Sequence, residues 1–257
     1  MHKEDISVQL YTTRKFQPYA PILNFIREQG LINLELFGLE SMNINEFKNI
    51  MDSNNITSHS THVGFEALQD TKNIIERAKE LNIKHVIVPA PPAKKDGDFS
   101  NTFEMNEEEW ISFGKDLSSF VKEFEDEGLT LGYHNHSYEF KSLPSGKLPI
   151  ECMMDQNENL KFEIDLGWVV AGGADPKIWI EKYSNKIIAC HLKDFYNKDH
   201  DMLDHDNQSA IGDGFINWKE LTSSIKETEC ELYILEHDDP IDYKEYISKS
   251  VKNLESI

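Results

Sequence analysis

Eight short runs rich in β-branched and apolar residues recur along the chain, each followed by a longer stretch of amphipathic period, and this alternation leaves few architectures open. The runs cover 6–11, 31–37, 56–62, 83–88, 129–134, 160–165, 186–191 and 231–236, and the helical stretches 18–29, 44–53, 64–81, 106–127, 149–157, 176–183, 217–226 and 242–254. Helix-start chemistry supports several boundaries. Asp175-Pro176 places a side-chain cap before a proline at the first helical position, and Asn217 to Glu220 has capping-box spacing. The fifth helix has the least support, because Pro144, Gly146 and Pro149 crowd its start. Strand then helix, eight times over, predicts an α/β fold closed on itself, a (β/α)8 TIM barrel, and 257 residues suit the ~250 usual for one. No Gly/Ser-rich linker, low-complexity tract or charge block divides the chain, so residues 1–257 are expected to form a single domain.

With 39% hydrophobic and 28% charged residues the chain can bury a substantial core, which excludes a disordered or collagen-like class. Twenty-six basic against 46 acidic residues give a formal charge of -20, a surface that repels a phosphate backbone, and no Lys/Arg cluster opposes it. The chain begins Met1-His2-Lys3-Glu4-Asp5 with no signal-like stretch and contains no span near 20 apolar residues, so a cytoplasmic location is expected. Neither nucleic acid nor membrane is expected as a partner, and a homo-oligomer is left open. Cys152, Cys190 and Cys230 form no CxxC pattern and suggest neither a disulfide framework nor a thiolate zinc site.

A barrel of this kind carries its chemistry at the carboxyl ends of its strands, and those ends are polar here. They bear His62, His134 with His136, Asp165, His191 with Lys193, and Glu236 with Asp238; His59, Glu35 and His237 fall nearby. Unpaired buried charges cost several kcal/mol each, so inward charges at one end of successive strands call for a metal or a partner. Alternation puts Glu163 with Asp165, His191 with Lys193, and Glu236 with Asp238 on shared faces, and sends His237 outward to a structural role. Asp165, His191 and Glu236 then converge on an oxygen-rich site suited to Mn²⁺, Mg²⁺ or Co²⁺, with Zn²⁺ and Fe²⁺ open; a further ligand would be His134, His136 or Glu139.

The segments Tyr133-His134-Asn135-His136-Ser137-Tyr138-Glu139-Phe140, Glu163-Ile164-Asp165-Leu166-Gly167-Trp168-Val169, His191-Leu192-Lys193-Asp194 and Leu235-Glu236-His237-Asp238 resemble the xylose-isomerase-like TIM-barrel family of sugar isomerases and epimerases. The resemblance spans nearly the whole chain. It implies a divalent metal held by Glu139, Asp165, His191 and Glu236, a small-molecule keto-sugar substrate chelated through adjacent oxygens, and proton exchange by Glu139 and Glu236 or His134. Many members end strand five with a glutamate, whereas His134 stands here, which makes an imidazole a competing base. His62, His136, Trp168 and Lys193 are expected to contact substrate.

Chelation by a divalent ion would stabilise the enediolate left when an α-proton departs. Proton return gives epimerisation or isomerisation, the leading expectation; loss of a β-substituent from a keto-inositol or keto-glycoside gives a lyase, the alternative favoured by the histidine-rich fifth strand. Residues 165–172 are also faintly similar to abasic-site endonucleases of the same barrel, a reading opposed by the charge of -20. A sugar-binding barrel without turnover is the remaining rival. Gly212-Asp213-Gly214 would cradle a phosphate or form a plain turn.

Overall fold

The computed structural model describes residues 3–93 and 100–257, so Met1-His2 lies outside the described residues. Eight parallel strands close the barrel: β1 Ile6–Gln9, β2 Asn33–Phe37, β3 Thr57–His62, β4 His85–Val88, β5 Thr130–His134, β6 Lys161–Asp165, β7 Ile187–Leu192 and β8 Leu232–Leu235. Each pairs with its sequence neighbours, and β1 closes the ring on β8 with Val8 opposite Leu235. The expected single-domain (β/α)8 architecture is the observed one.

Seven strands begin one or two residues later than the apolar runs predict, and four of them share one physical reason. Leu31, Ile56, Ile83 and Leu129 each donate their backbone N–H back to the preceding helix, to Ile26, Met51, Ala78 and Phe124. Each follows a residue of positive φ, Gly30, Asn55, Asn82 or Gly128, so these apolar residues close a helix C-terminus before the strand starts.

The helices are α1 Tyr19–Glu28, α2 Ile44–Asn54, α3 Thr71–Glu80, α4 Glu107–Asp126, α5 Pro149–Met154, α6 Leu166–Ala171, α7 Pro176–Lys182, α8 Trp218–Ile225 and α9 Tyr243–Leu254. In α4, Asn106 and Glu109 form a capping box, and Trp110, Phe113, Leu117, Val121 and Phe124 give the helix a buried stripe. The stretch expected as one helix over 64–81 divides: a 3-10 segment Phe65–Asp70 precedes α3, which Asp70 caps. Helix α6 has no counterpart in the sequence reading, because six residues are too few to show a period.

Most apolar side chains pack between strands and helices, while Ile87, Ile188, Ala189, Leu232 and Ile234 form a small separate cluster. Buried polar residues such as Gln9, Glu35, Ser60, Glu163 and His191 lie on the same strands, so the strand framework carries charge rather than a purely aliphatic filling. The segment after β7 adds an antiparallel pair, Asp194–Phe195 with Gln208–Ser209.

Candidate active site

Six ionisable side chains, five from four strands and Glu236 just past the end of β8, share one buried volume. His62, His134, Glu163 and His191 form one set of donors lying within 4.8 Å of one another; His134, Asp165, His191 and Glu236 form a second, among the described residues. Strand register explains the convergence: Asp165 pairs with His191, His134 with Glu163, and His191 with Ile234, two residues before Glu236. Asn135 locks β5 to β6 by donating its side-chain amide to the Asp165 carbonyl at 3.2 Å and accepting the Asp165 N–H at 3.0 Å. One Asp165 oxygen caps α6 by accepting from Trp168 N at 2.8 Å, which fixes the carboxylate's direction.

Beneath the second set lies a cage of histidines and glutamates. Glu163 Oε1 is 2.6 Å from His62 Nε2, 3.2 Å from His134 Nδ1 and 3.0 Å from His191 Nε2. Glu35 Oε2 is 2.6 Å from His191 Nε2 and accepts from the Gln9 amide at 2.9 Å. The other His191 nitrogen, Nδ1, faces Glu236 Oε2 at 3.1 Å. Above, the Lys193 ammonium donates to Asp238 at 2.7 Å and Glu236 at 3.2 Å, and stands 4.9 Å over the Trp168 ring.

The electrostatics record an excess of negative charge. Burial lifts Asp165 to about 7, with repulsion from Glu236 adding to it and Lys193 and His191 opposing. Burial and the charge of Glu163 lift Glu35 to about 7. Burial works to lower His191, but Glu163, Glu236 and Glu35 outweigh it and hold the imidazole well above its ordinary range. Burial opposes ionisation of Glu236 as well, yet Lys193 and His191 keep it well below the usual carboxylate range. His134 is driven well below its ordinary value by burial and by the neighbouring His191.

These residues fit a divalent cation. Asp165 Oδ2, Glu163 Oε2 and Glu35 Oε1 are buried without a hydrogen-bond partner, an arrangement costing about 1–3 kcal/mol per group unless a cation or donor completes it. Two imidazoles with two carboxylates suit Mn²⁺, Co²⁺, Fe²⁺ or Zn²⁺ better than Mg²⁺, which prefers oxygen donors.

The structure brings together His62, His134, Asp165, His191, Lys193 and Glu236, and sets His136 and Trp168 beside them with ring centroids 6.1 Å apart. Glu139 is not among them. Its oxygens accept from the Tyr133 hydroxyl at 2.7 Å and the His136 N–H at 2.9 Å, so the expectation that Glu139 ligates the metal and moves the proton is corrected. Tyr133 alternates with His134 and packs on Phe113 of α4, which draws Glu139 to the helix side of the wall. Of the two readings of 212–214, the structure favours the plain turn: Asp194 accepts the N–H groups of Gly212, Gly214 and Ile216. His237 packs on Tyr246, as expected of a structural residue.

Sequence reasoning placed Glu163 on the face of Asp165 by alternation and Glu35 near the strand ends, but gave neither a role in the cluster. Gln208 was missed altogether; it reaches Asp238 from the far strand of the Asp194–Ser209 ribbon, a contact no local pattern encodes.

Fold and site together define an α/β barrel with a metal-ligand constellation at the carboxyl ends of its strands. A model of the xylose isomerase-like TIM barrel family matches residues 23–257, and the chain belongs to that family. An inosose dehydratase of Clostridium perfringens is 27% identical over 150 residues, 53% of this chain and 50% of that one, so the match spans about half the relative's length. A sugar phosphate isomerase/epimerase structure from Parabacteroides distasonis superposes with TM-score 0.80 at 21% identity, covering 100% of this chain and 95% of that one. A probable 3-DHS dehydratase, AsbF of Bacillus anthracis, gives 0.75 at 15% identity with 98% of both chains covered. The IOLI protein with a zinc atom bound gives 0.73 at 16%, covering 98% and 97%. No helix among the described residues is long and apolar enough to cross a membrane.

Proposed function

We propose that the chain is a metal-dependent lyase that eliminates water or an alcohol from the carbon β to the carbonyl of a cyclic polyhydroxy ketone, a keto-inositol or a keto-glycoside. The observation that carries this reading is the placement of Glu139. Proton exchange between two facing glutamates, one form of the isomerase reading, needs a carboxylate from the fifth strand in the cluster; His134 stands there instead, and a histidine-rich strand end suits passing one proton from carbon to a leaving oxygen. The dehydratase names of the Clostridium perfringens relative and the Bacillus anthracis structure support the same choice. Isomerisation or epimerisation is the second reading, supported by the name of the Parabacteroides distasonis structure.

Residues His134, Asp165, His191 and Glu236 would hold the cation, which supplies Lewis acidity toward the substrate carbonyl. His136, half-buried at the mouth, is pushed down to about 4 by burial and is neutral at pH 7, able to accept the α-proton. As the C–H and β C–O bonds break and the C=C forms, His136 returns that proton to the departing oxygen, which leaves as water or an alcohol. The Lys193 ammonium, held by Glu236 and Asp238, offsets negative charge gathering on the substrate oxygens. Asn135 and the α6 cap keep Asp165 in place, and the Trp168 ring excludes water from one side.

The test is product analysis after metal-loaded protein meets keto-inositols and 3-keto glycosides. A product lighter by one water, or a released alcohol, is expected. With the reaction run in D₂O, a product that has lost neither water nor alcohol and is heavier only by solvent deuterium would overturn the lyase reading in favour of the isomerase.

A further inference from the structure

Beside the mouth, on the rim formed by the N-terminal ends of α4 and α5, a cavity of about 290 Å³ is lined chiefly by Phe103, Met105, Trp110, Tyr138, Leu143 and Pro149. It is joined to the cluster by a run of rings. His134 lies 5.2 Å from His136, His136 stacks on Tyr138 at 5.4 Å and 12°, and Tyr138 meets Phe103 edge-on at 5.3 Å. Trp110 stands 6.2 Å behind Tyr138. These separations fall in the range at which aromatic rings pack on one another, so the run forms one continuous aromatic wall from the cluster to the cavity. Phe103 is 62% exposed and lines the same cavity.

We infer that this cavity is an aglycone subsite, and that the substrate is a keto-glycoside whose leaving group is an aromatic alcohol. The inference rests on the lyase reading above and narrows it. A keto-inositol carries only hydroxyl substituents and would leave the apolar rings facing water. A glycoside held with its keto-sugar over His134 and His136 directs its leaving oxygen toward Tyr138 and its aromatic ring onto Phe103 and Leu143. The leaving oxygen then sits beside His136, the group that protonates it.

The test compares the 3-keto forms of phenyl and methyl glucoside on the metal-loaded protein and its Phe103→Ala variant. Wild-type protein should show a KM for the phenyl glycoside lower by roughly tenfold, the scale of one aromatic contact, and the variant should collapse that ratio. Equal KM values in the wild type, or a ratio that survives Phe103→Ala, would overturn the inference. If neither glycoside is consumed, the keto-glycoside form of the lyase reading falls, and quenching of tryptophan fluorescence by 4-nitrophenyl glucoside decides the subsite separately. Saturable quenching weakened by Phe103→Ala supports it, and quenching absent or unaffected contradicts it.

Discussion

Glu139 is buried with a hydroxyl and an amide as its partners and no cation beside it, so its charged form is costly. Burial lifts its pKa to about 8, against the ordinary value of 4.5. A folded-state pKa above the unfolded value contributes stability that is complete below the unfolded value and lost as pH rises through about 8. Glu139→Gln removes this dependence, so its melting temperature relative to wild type should climb between pH 5 and 8, as read by a thermal-shift series. A constant difference across that window would contradict the assignment. The residue scale is also where the sequence was least legible. Glu139 and Glu163 have the same side chain, but Glu139 lies in a turn beyond β5 where the Tyr133 hydroxyl holds it, while Glu163 lies on β6 and is caged by three histidines. Asp165, His191 and Glu236 were readable because each stands at or just past the end of an apolar run, where the barrel must place it at the mouth.

Among the elements, the run after β7 departs furthest from a plain βα loop. Asp194 gathers the N–H groups of Phe195, Gly212, Gly214 and Ile216, and a Cβ on Gly214 would come within 2.2 Å of its carboxylate, so glycine is required there. The ribbon so formed carries Gln208 onto Asp238, which in turn holds Lys193. Asp194→Ala should strip several buried amides of their acceptor at about 1–3 kcal/mol each. The expected outcome is faster proteolysis within 194–216 and a lower kcat together, as limited digestion and kinetics would show; intact loops with normal kcat would refute the link. Asn106→Ala should cost about 1 kcal/mol in urea unfolding through loss of the α4 cap, with no effect on metal content. Helices with caps and long stripes, such as α4, were readable for these reasons. The ribbon and α6 were not, since their hydrogen bonds join residues with no shared period.

Across the whole molecule, a barrel wall of parallel strands brings acidic and imidazole groups from distant segments into one buried volume, at a cost in repulsion that a cation relieves. The order of strands and helices was legible because eight repeats admit one closed arrangement. What that arrangement does chemically was less so, since one fold hosts many reactions and the site's own groups decide among them. The surface charge of -20 gives a further expectation: a labelled duplex bearing an abasic site should be neither bound nor nicked, even at low salt. The most direct measurement is metal content by mass spectrometry after chelation, reloading and desalting of wild type, Asp165→Asn and Glu139→Gln. Wild type and Glu139→Gln should retain one divalent ion per chain and Asp165→Asn should lose it; an Asp165→Asn protein that stays loaded while Glu139→Gln comes out empty would contradict the site described above.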